Sequence, residues 1–273
     1  MKLGQYVRLM KAMSKAHRKF TCTSCGTKTE VLGDFCMCSN CESIAHYDSV
    51  AISRKDPTLS NSLKLIGDAL AAGNYEGVIA EYEKLYQYKR DPLLLYAEAL
   101  AYIRYSNRTY AGISYDRPGF MEDNAAMAEN AMKLASTAKA LLAKSIKASR
   151  DDMAEGNSSP DSLYGLMLAQ LKLGDLRGAK DSLDAMEKLN IPLVYNYAAM
   201  MLDAQKSDYR KVMAHADTIL RSKNILVNAF FYAGLALFGL GSRNDAMKLF
   251  KSMSAVSESS AVPLLVSEIA ERV

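Results

Sequence analysis

The chain has 273 residues, 49% of them apolar, with no tryptophan, six prolines and a net charge of +4. That length can bury a large core, and the abundance of alanine, leucine, methionine and lysine beside so few prolines favours an all-α body. No apolar run reaches transmembrane length; residues 229–240 come nearest and are too short, which excludes a helical membrane span.

The positive charge is concentrated at the start. Residues 1–56 hold nine Lys/Arg against five Asp/Glu, and the rest of the chain carries 25 of each. Within residues 1–20 there is no acid at all. Leu3, Tyr6, Val7, Met10, Met13 and Phe20 fall near one helical face, so this segment reads as a basic amphipathic helix. Arg8, Lys11, Lys15, Arg18 and Lys19 would then face an RNA, DNA or ribosomal surface. An anionic membrane surface and an organellar presequence are the competing readings, as is a helix docked by its apolar face with its lysines solvated.

Next come two close cysteine pairs, Cys22-Thr-Ser-Cys25 and Cys38-Ser-Asn-Cys41, separated by twelve residues. A Cys-x-x-Cys turn supplies two soft ligands from one tight bend, and two such turns complete a tetrahedral shell. Gly26, just after the first knuckle, has the backbone freedom such a turn needs. Lys28–Leu32 and residues 44–52 contain β-branched residues and are expected as short strands. Residues 20–52 resemble the zinc-ribbon superfamily, and the resemblance implies one structural zinc on Cys22, Cys25, Cys38 and Cys41. Cys36 could replace a ligand in the second knuckle, which carries Glu42 where the first has glycine, and His46 is a further candidate. Iron is chemically compatible with the same four thiolates. A full thiolate shell leaves no position open for catalysis. All five cysteines lie before residue 42 with nothing like a secretory signal ahead of them, so a reducing cytoplasm is the expected compartment and disulfides are disfavoured. A domain over residues 21–56 is too small to fold on apolar burial alone, so the metal would stabilise it.

From residue 57 onward the pattern is helical and repetitive. Three loops, at Leu173-Gly174-Asp175, Lys206-Ser207-Asp208 and Leu240-Gly241-Ser242, have centres 33 and 34 residues apart. Five residues after each centre stand Ala179, Val212 and Ala246; nine after stand Leu183, Ala216 and Phe250. Gly234 lies seven before Gly241. Ala72-Gly73-Asn74-Tyr75-Glu76 fits the same frame, with Val78 and Tyr82 following. Small residues at such positions let paired helices approach closely. This pattern resembles the tetratricopeptide-repeat superfamily, and the body over residues 57–273 is identified as similar to it.

Five hairpins are expected, at residues 59–89, 91–150, 161–189, 193–222 and 226–254. The second is expanded: a helix over residues 93–105, an irregular insertion over 107–123, then a long helix over 125–150 with Asn124 as its N-cap. Residues 151–161 read as a linker, and residues 262–272 as a C-terminal capping helix. The fold class expected is therefore mostly α, a right-handed superhelix of hairpins with a small N-terminal β zinc ribbon. Because each repeat gains stability from its neighbours, the array is expected to stay helical if the ribbon unfolds.

The resemblance implies peptide or protein binding on the concave face. The first helices of the last three hairpins would present Tyr164, Leu168, Tyr197, Met201, Phe231, Leu235 and Phe238 as an apolar, aromatic groove for an amphipathic helix or apolar peptide. The opposing reading packs them against neighbouring hairpins or the chain's own head. No Lys, Arg or Asn aligns where a carboxylate clamp would need them. Catalytic signatures are missing too: His17, His46 and His215 stand in unrelated settings, and no phosphate loop, dinucleotide fingerprint or nucleophile elbow occurs. The expected role is a non-enzymatic scaffold, with a nucleic-acid- or ribosome-associated factor as the alternative.

Overall fold

A computed structural model describes residues 20–53, 55–112, 121–156, 159–222 and 226–256. The expected basic helix with Arg8, Lys11, Lys15, Arg18 and Lys19, residues 113–120 of the insertion, and the expected capping helix lie outside the described residues. What is described is mostly helical, with one small N-terminal antiparallel sheet.

The sheet has strands β1 (Phe20–Thr21), β2 (Lys28–Leu32), β3 (Phe35–Cys38) and β4 (Ile44–His46), in that order across it. The β2–β3 hairpin turns at Gly33, which adopts φ 61, and sets Leu32 opposite Phe35 and Thr29 opposite Cys38. The second expected strand, over residues 44–52, stops early. After His46 the chain turns into α1 (Tyr47–Ser53), so residues 47–52 are helix and not strand. The Tyr47 N–H is taken by the Asp34 carbonyl at 2.9 Å, which ends the ladder. Only Val50 of this segment is buried, whereas Ile52 is 69% exposed; one apolar contact per turn suits a helix and not alternating strand faces.

Ten further helices follow: α2 (Pro57–Ala71), α3 (Tyr75–Tyr88), α4 (Pro92–Ala111), α5 (Met121–Ala154), α6 (Pro160–Leu173), α7 (Leu176–Glu187), α8 (Pro192–Gln205), α9 (Tyr209–Arg221), α10 (Val227–Gly239) and α11 (Arg243–Val256). They pack as five hairpins, each helix against the next in sequence, and the first helices α4, α6, α8 and α10 also touch in series. Proline occupies the first turn of α2, α4, α6 and α8, where its missing N–H costs nothing.

The repeated loops share one backbone device. Gly73, Gly174, Ser207 and Gly241 all take positive φ, between 58 and 85°. Asn74, Asp175 and Asp208 then accept the N–H three residues on, capping α3, α7 and α9. The positions five and nine residues beyond each loop centre (Val78, Tyr82, Ala179, Leu183, Val212, Ala216, Ala246 and Phe250) are all buried. A Cβ on Gly234 would strike the Phe250 ring, so α10 and α11 meet there by glycine alone.

Three boundaries differ from expectation. Helix α4 runs on through Asn107 to Ala111, and α5 begins at Met121, so Asn124 lies inside a helix and does not cap it. The expected linker shrinks, because α5 continues through Asp151-Asp152 to Ala154 and α6 starts at Pro160 behind the capping hydroxyl of Ser159. Alanine, methionine and glutamate around Asn124 and Asp151-Asp152 carry α5 through both positions, whereas α4 crosses Asn107 on weak helix formers packed against α5, with Ser106 donating its hydroxyl to the Ala131 carbonyl at 2.7 Å.

Sheet and helices do not have separate interiors. Cys22, Leu32, Met37 and Ile44 belong to the same buried cluster as Leu63, Tyr96, Tyr164, Tyr197 and Phe230. Only Cys36, Ala45 and Val50, with Phe20 against them, form a small satellite between sheet and α1. No helix among the described residues is long and apolar enough to cross a membrane.

Candidate metal centre

The two knuckles repeat one another over six residues. Cys22 N–H donates to the Thr27 carbonyl at 2.7 Å and Gly26 N–H to the Cys22 carbonyl at 3.1 Å. In the second knuckle Cys38 N–H donates to Ser43 at 2.9 Å and Glu42 N–H to Cys38 at 2.9 Å. Ser24 N–H reaches Cys22 Sγ at 3.3 Å, and Cys41 N–H reaches Cys38 Sγ at 3.4 Å. The turns face each other and bring all four Sγ atoms within 4.8 Å of one another, every cysteine buried.

The geometry suits a metal. A tetrahedral zinc with Zn–S bonds of about 2.3 Å needs sulfur atoms roughly 3.8 Å apart. Cys22 and Cys41 stand 3.7 Å apart, and Cys25 and Cys38 stand 3.4 Å apart, too far for disulfides, whose bonds are about 2.05 Å. Thr27 Oγ1 lies 3.0 Å from Cys25 Sγ and 3.1 Å from Cys38 Sγ; Ser43 Oγ lies 3.0 Å from Cys41 Sγ and 3.4 Å from Cys22 Sγ. Each hydroxyl thus bridges one sulfur of each knuckle, and Asn40 adds an amide to Cys25 at 3.5 Å. Such donors orient thiolates and spread their charge.

The thiols' acidity points the same way. Burial raises the Cys25 pKa, but contacts from Cys22, Cys38, Cys41 and Asn40 outweigh it and bring it well below the ordinary thiol value. Burial, reinforced by Cys22 and Cys25, pushes Cys38 and Cys41 well above it. Burial thus opposes negative charge on Cys38 and Cys41, and a dication among the thiolates removes that conflict.

Neither alternative ligand joins the group. Cys36 is buried beside Ala45 and Val50, and His46 turns its ring to Phe35 and its Nδ1 to Asp48, 3.6 Å away. The set brought together is the expected Cys22, Cys25, Cys38 and Cys41.

What the sequence did not reveal is where this head sits. It lies against the first helix of every hairpin. Gly26 takes φ 70 and packs its backbone on α2, where a Cβ would overlap the Leu63 carbonyl, and Gly67 opposite is equally closed to a side chain. Tyr82 of α3 donates its hydroxyl to the Ser24 carbonyl at 2.9 Å. Arg104 of α4 clamps Asn40, with 2.7 Å to its side-chain oxygen and 2.6 Å to its carbonyl. Asp161 of α6 accepts the His46 N–H at 3.2 Å. Leu193 of α8 lies against Gly33. On α10, Asn228 donates to the Ser39 carbonyl at 3.4 Å, and Val227 N–H is taken by Glu30 at 2.9 Å. Leu226 supplies no side-chain cap, so Glu30 serves as the N-terminal cap of α10 from 197 residues away. Burial pushes the Glu30 carboxyl up to about 7, partly offset by the Val227 hydrogen bond.

Glu42 is the residue on which most of this converges. It holds φ 61, the position Gly26 fills in the first knuckle. Its carbonyl accepts from Tyr164 at 2.9 Å, its Oε1 from Tyr232 at 2.9 Å, and its Oε2 pairs with Lys172 at 3.5 Å. A glycine would relax the turn and lose the side-chain clamp. The signal was present: aligning Cys-x-x-Cys-Gly-Thr with Cys-x-x-Cys-Glu-Ser marks a strained position spent on something other than the turn.

The expected groove is accordingly filled from within. Tyr164, Leu168, Tyr197 and Met201 are buried, and Phe231, Leu235 and Phe238 are half-buried. Tyr164 and Tyr197 pack within the chain and are not open to an external peptide; Tyr164 donates its hydroxyl to the Glu42 carbonyl, whereas the Tyr197 hydroxyl is buried with no hydrogen-bond partner among the described residues. No known protein family, curated protein or solved structure matches this chain, so its reading rests on its own geometry.

Proposed function

We propose that this protein is a non-enzymatic, cytoplasmic interaction scaffold, a right-handed superhelix of tetratricopeptide-like hairpins wound around its own zinc ribbon. The observation that carries the reading is the docking of one four-thiol head against the first helices of five successive hairpins. Zinc on Cys22, Cys25, Cys38 and Cys41 would be structural, since four thiolates close its shell. Fixing the head fixes the array, and a rigid array presents its remaining surface at little entropic cost. Peptide binding on the concave side is then confined to the last hairpins, where Phe231, Leu235 and Phe238 keep exposed surface for an amphipathic helix. Among the described residues no constellation supports catalysis: His46 pairs with Asp48 at the sheet edge, and His215 is spent between Asn196 and Asp203.

The acid-free run of cations over residues 1–20 supports a second reading, binding of RNA or DNA through Arg8, Lys11, Lys15, Arg18 and Lys19. Affinity capture from native lysate, with and without nuclease, separates the two. A protein partner that survives nuclease and is lost with Leu235→Glu supports the scaffold. Recovery of nucleic acid that is lost when those five cations are changed to Gln, with proteins lost after nuclease, overturns it in favour of the basic segment.

A further inference from the structure

The charge of the helical body balances overall but not locally. From Asn130 to Arg150, helix α5 contains no acid and five cations. Each of the other second helices answers at least one of its cations at helical spacing, although Arg177, Arg210 and Lys251 make no ion pair among the described residues. Lys84 pairs with Glu81 on α3, Lys180 with Asp184 on α7, and Lys248 with Asp245 on α11; on α9, Lys211 pairs with Asp208 and Arg221 with Asp217. On α5 that holds only for Lys133, which pairs with Glu129 at 2.8 Å. Lys139, Lys147 and Arg150 are exposed and make no ion pair among the described residues, and Lys144 lies over the Tyr86 ring at 4.9 Å.

At 100° and 1.5 Å per residue, Lys139, Lys144, Lys147 and Arg150 fall in a sector of about 140° and span about 16 Å of helix. The exposed positions among them are Ser136, Ala140 and Ala143, too short to hold a partner away from the helix surface. Asp151 and Asp152 close the strip at its C-terminal end, and Glu83 and Glu98 lie on the Tyr86 side near Lys144.

We propose that this strip binds the phosphate backbone of a nucleic-acid duplex. The partner follows from charge and shape. Stepped, unpaired cations complement a continuous polyanion. Between Lys139 and Arg150 the strip has no large apolar side chain, and the exposed Met132 two turns earlier is a single one, whereas interfacial helices require a continuous apolar face. It has no aromatic platform on which single-stranded bases could stack. It shares no residue with the basic segment over residues 1–20.

The test is fluorescence anisotropy with a labelled 20-base-pair duplex, using the metal-loaded full chain between 50 and 200 mM salt. Three proteins are compared: the wild type, a variant carrying Lys139→Glu, Lys147→Glu and Arg150→Glu, and a variant with Arg8, Lys11, Lys15, Arg18 and Lys19 changed to Gln. Neutralising three or four phosphates gives a log–log salt slope of about −3. The wild type and the N-terminal variant are expected to show such a slope. The α5 variant is expected to bind at least about tenfold more weakly with a shallower slope. A Gln version of the α5 triple should fall between, which guards against misfolding in the Glu version. Wild-type affinity in the α5 triple overturns the proposal, as does the absence of wild-type binding at 50 mM salt. Preferential capture of phosphatidylserine vesicles over the duplex overturns it in favour of a membrane.

Discussion

Replacing Glu42 by glycine and by alanine separates two effects that act in opposite directions at one residue. Both changes remove the acceptor of the Tyr232 hydroxyl and the partner of Lys172, while both keep the carbonyl that Tyr164 uses. Stranding a buried hydroxyl costs about 1–3 kcal/mol. The Lys172 contact is long and partly solvated and adds at most about 1 kcal/mol. Alanine keeps the strain of a left-handed backbone at φ 61, worth about 1 kcal/mol, and glycine releases it. Glu42→Ala should therefore destabilise the protein by about 1–4 kcal/mol, and Glu42→Gly by about 1 kcal/mol less. The assay is urea unfolding of the zinc-loaded protein followed by far-ultraviolet circular dichroism. Equal losses for the two variants would refute the strain argument. Losses below about 0.5 kcal/mol in both would refute the clamp itself.

Other perturbations probe the same architecture. Gly26→Ala drives a methyl into the Leu63 carbonyl at a left-handed position, and should cost more than about 3 kcal/mol by urea unfolding; a cost below 1 would show that the knuckle does not rest on α2. Cys22→Ser should abolish stoichiometric zinc and lower the midpoint of the entire helical transition, because head and helices share one core; a helical melt unchanged from wild type would restore the expectation of an independent array. Glu30, raised to about 7 from an ordinary 4.5, keeps its proton when folded after the unfolded chain has lost it, so it makes stability fall as pH rises between those values. Glu30→Gln retains an acceptor for Val227 and should flatten that slope, its advantage over wild type growing up to about pH 7; parallel pH profiles would show that Glu30 is not the group responsible. Gly234→Val should separate α10 from α11 by striking Phe250, costing about 1–3 kcal/mol; a neutral result would place the two helices further apart than described.

The amino-acid sequence by itself determined the features that depend on neighbours along the chain. Four thiols at Cys-x-x-Cys spacing meet because each knuckle is a local turn and a short hairpin joins them. The loops at Gly73, Gly174 and Ser207 were legible because a left-handed residue followed by a capping Asn or Asp is a short-range signal. Residues 47–52 were misread because short apolar runs rich in β-branched residues fit either period, and burial of Val50 alone, set by α1 against the sheet, decided the matter. The groove residues were found on the correct helices, but what covers them was decided only by tertiary structure. Ser24 meets Tyr82, Glu42 meets Tyr164 and Tyr232, and Glu30 caps α10 across gaps of 58 to 197 residues. No local periodicity encodes such pairings. They arise because a small sheet with one apolar face and a stack of helices with exposed tyrosines each bury more surface, and satisfy more polar groups, together than apart.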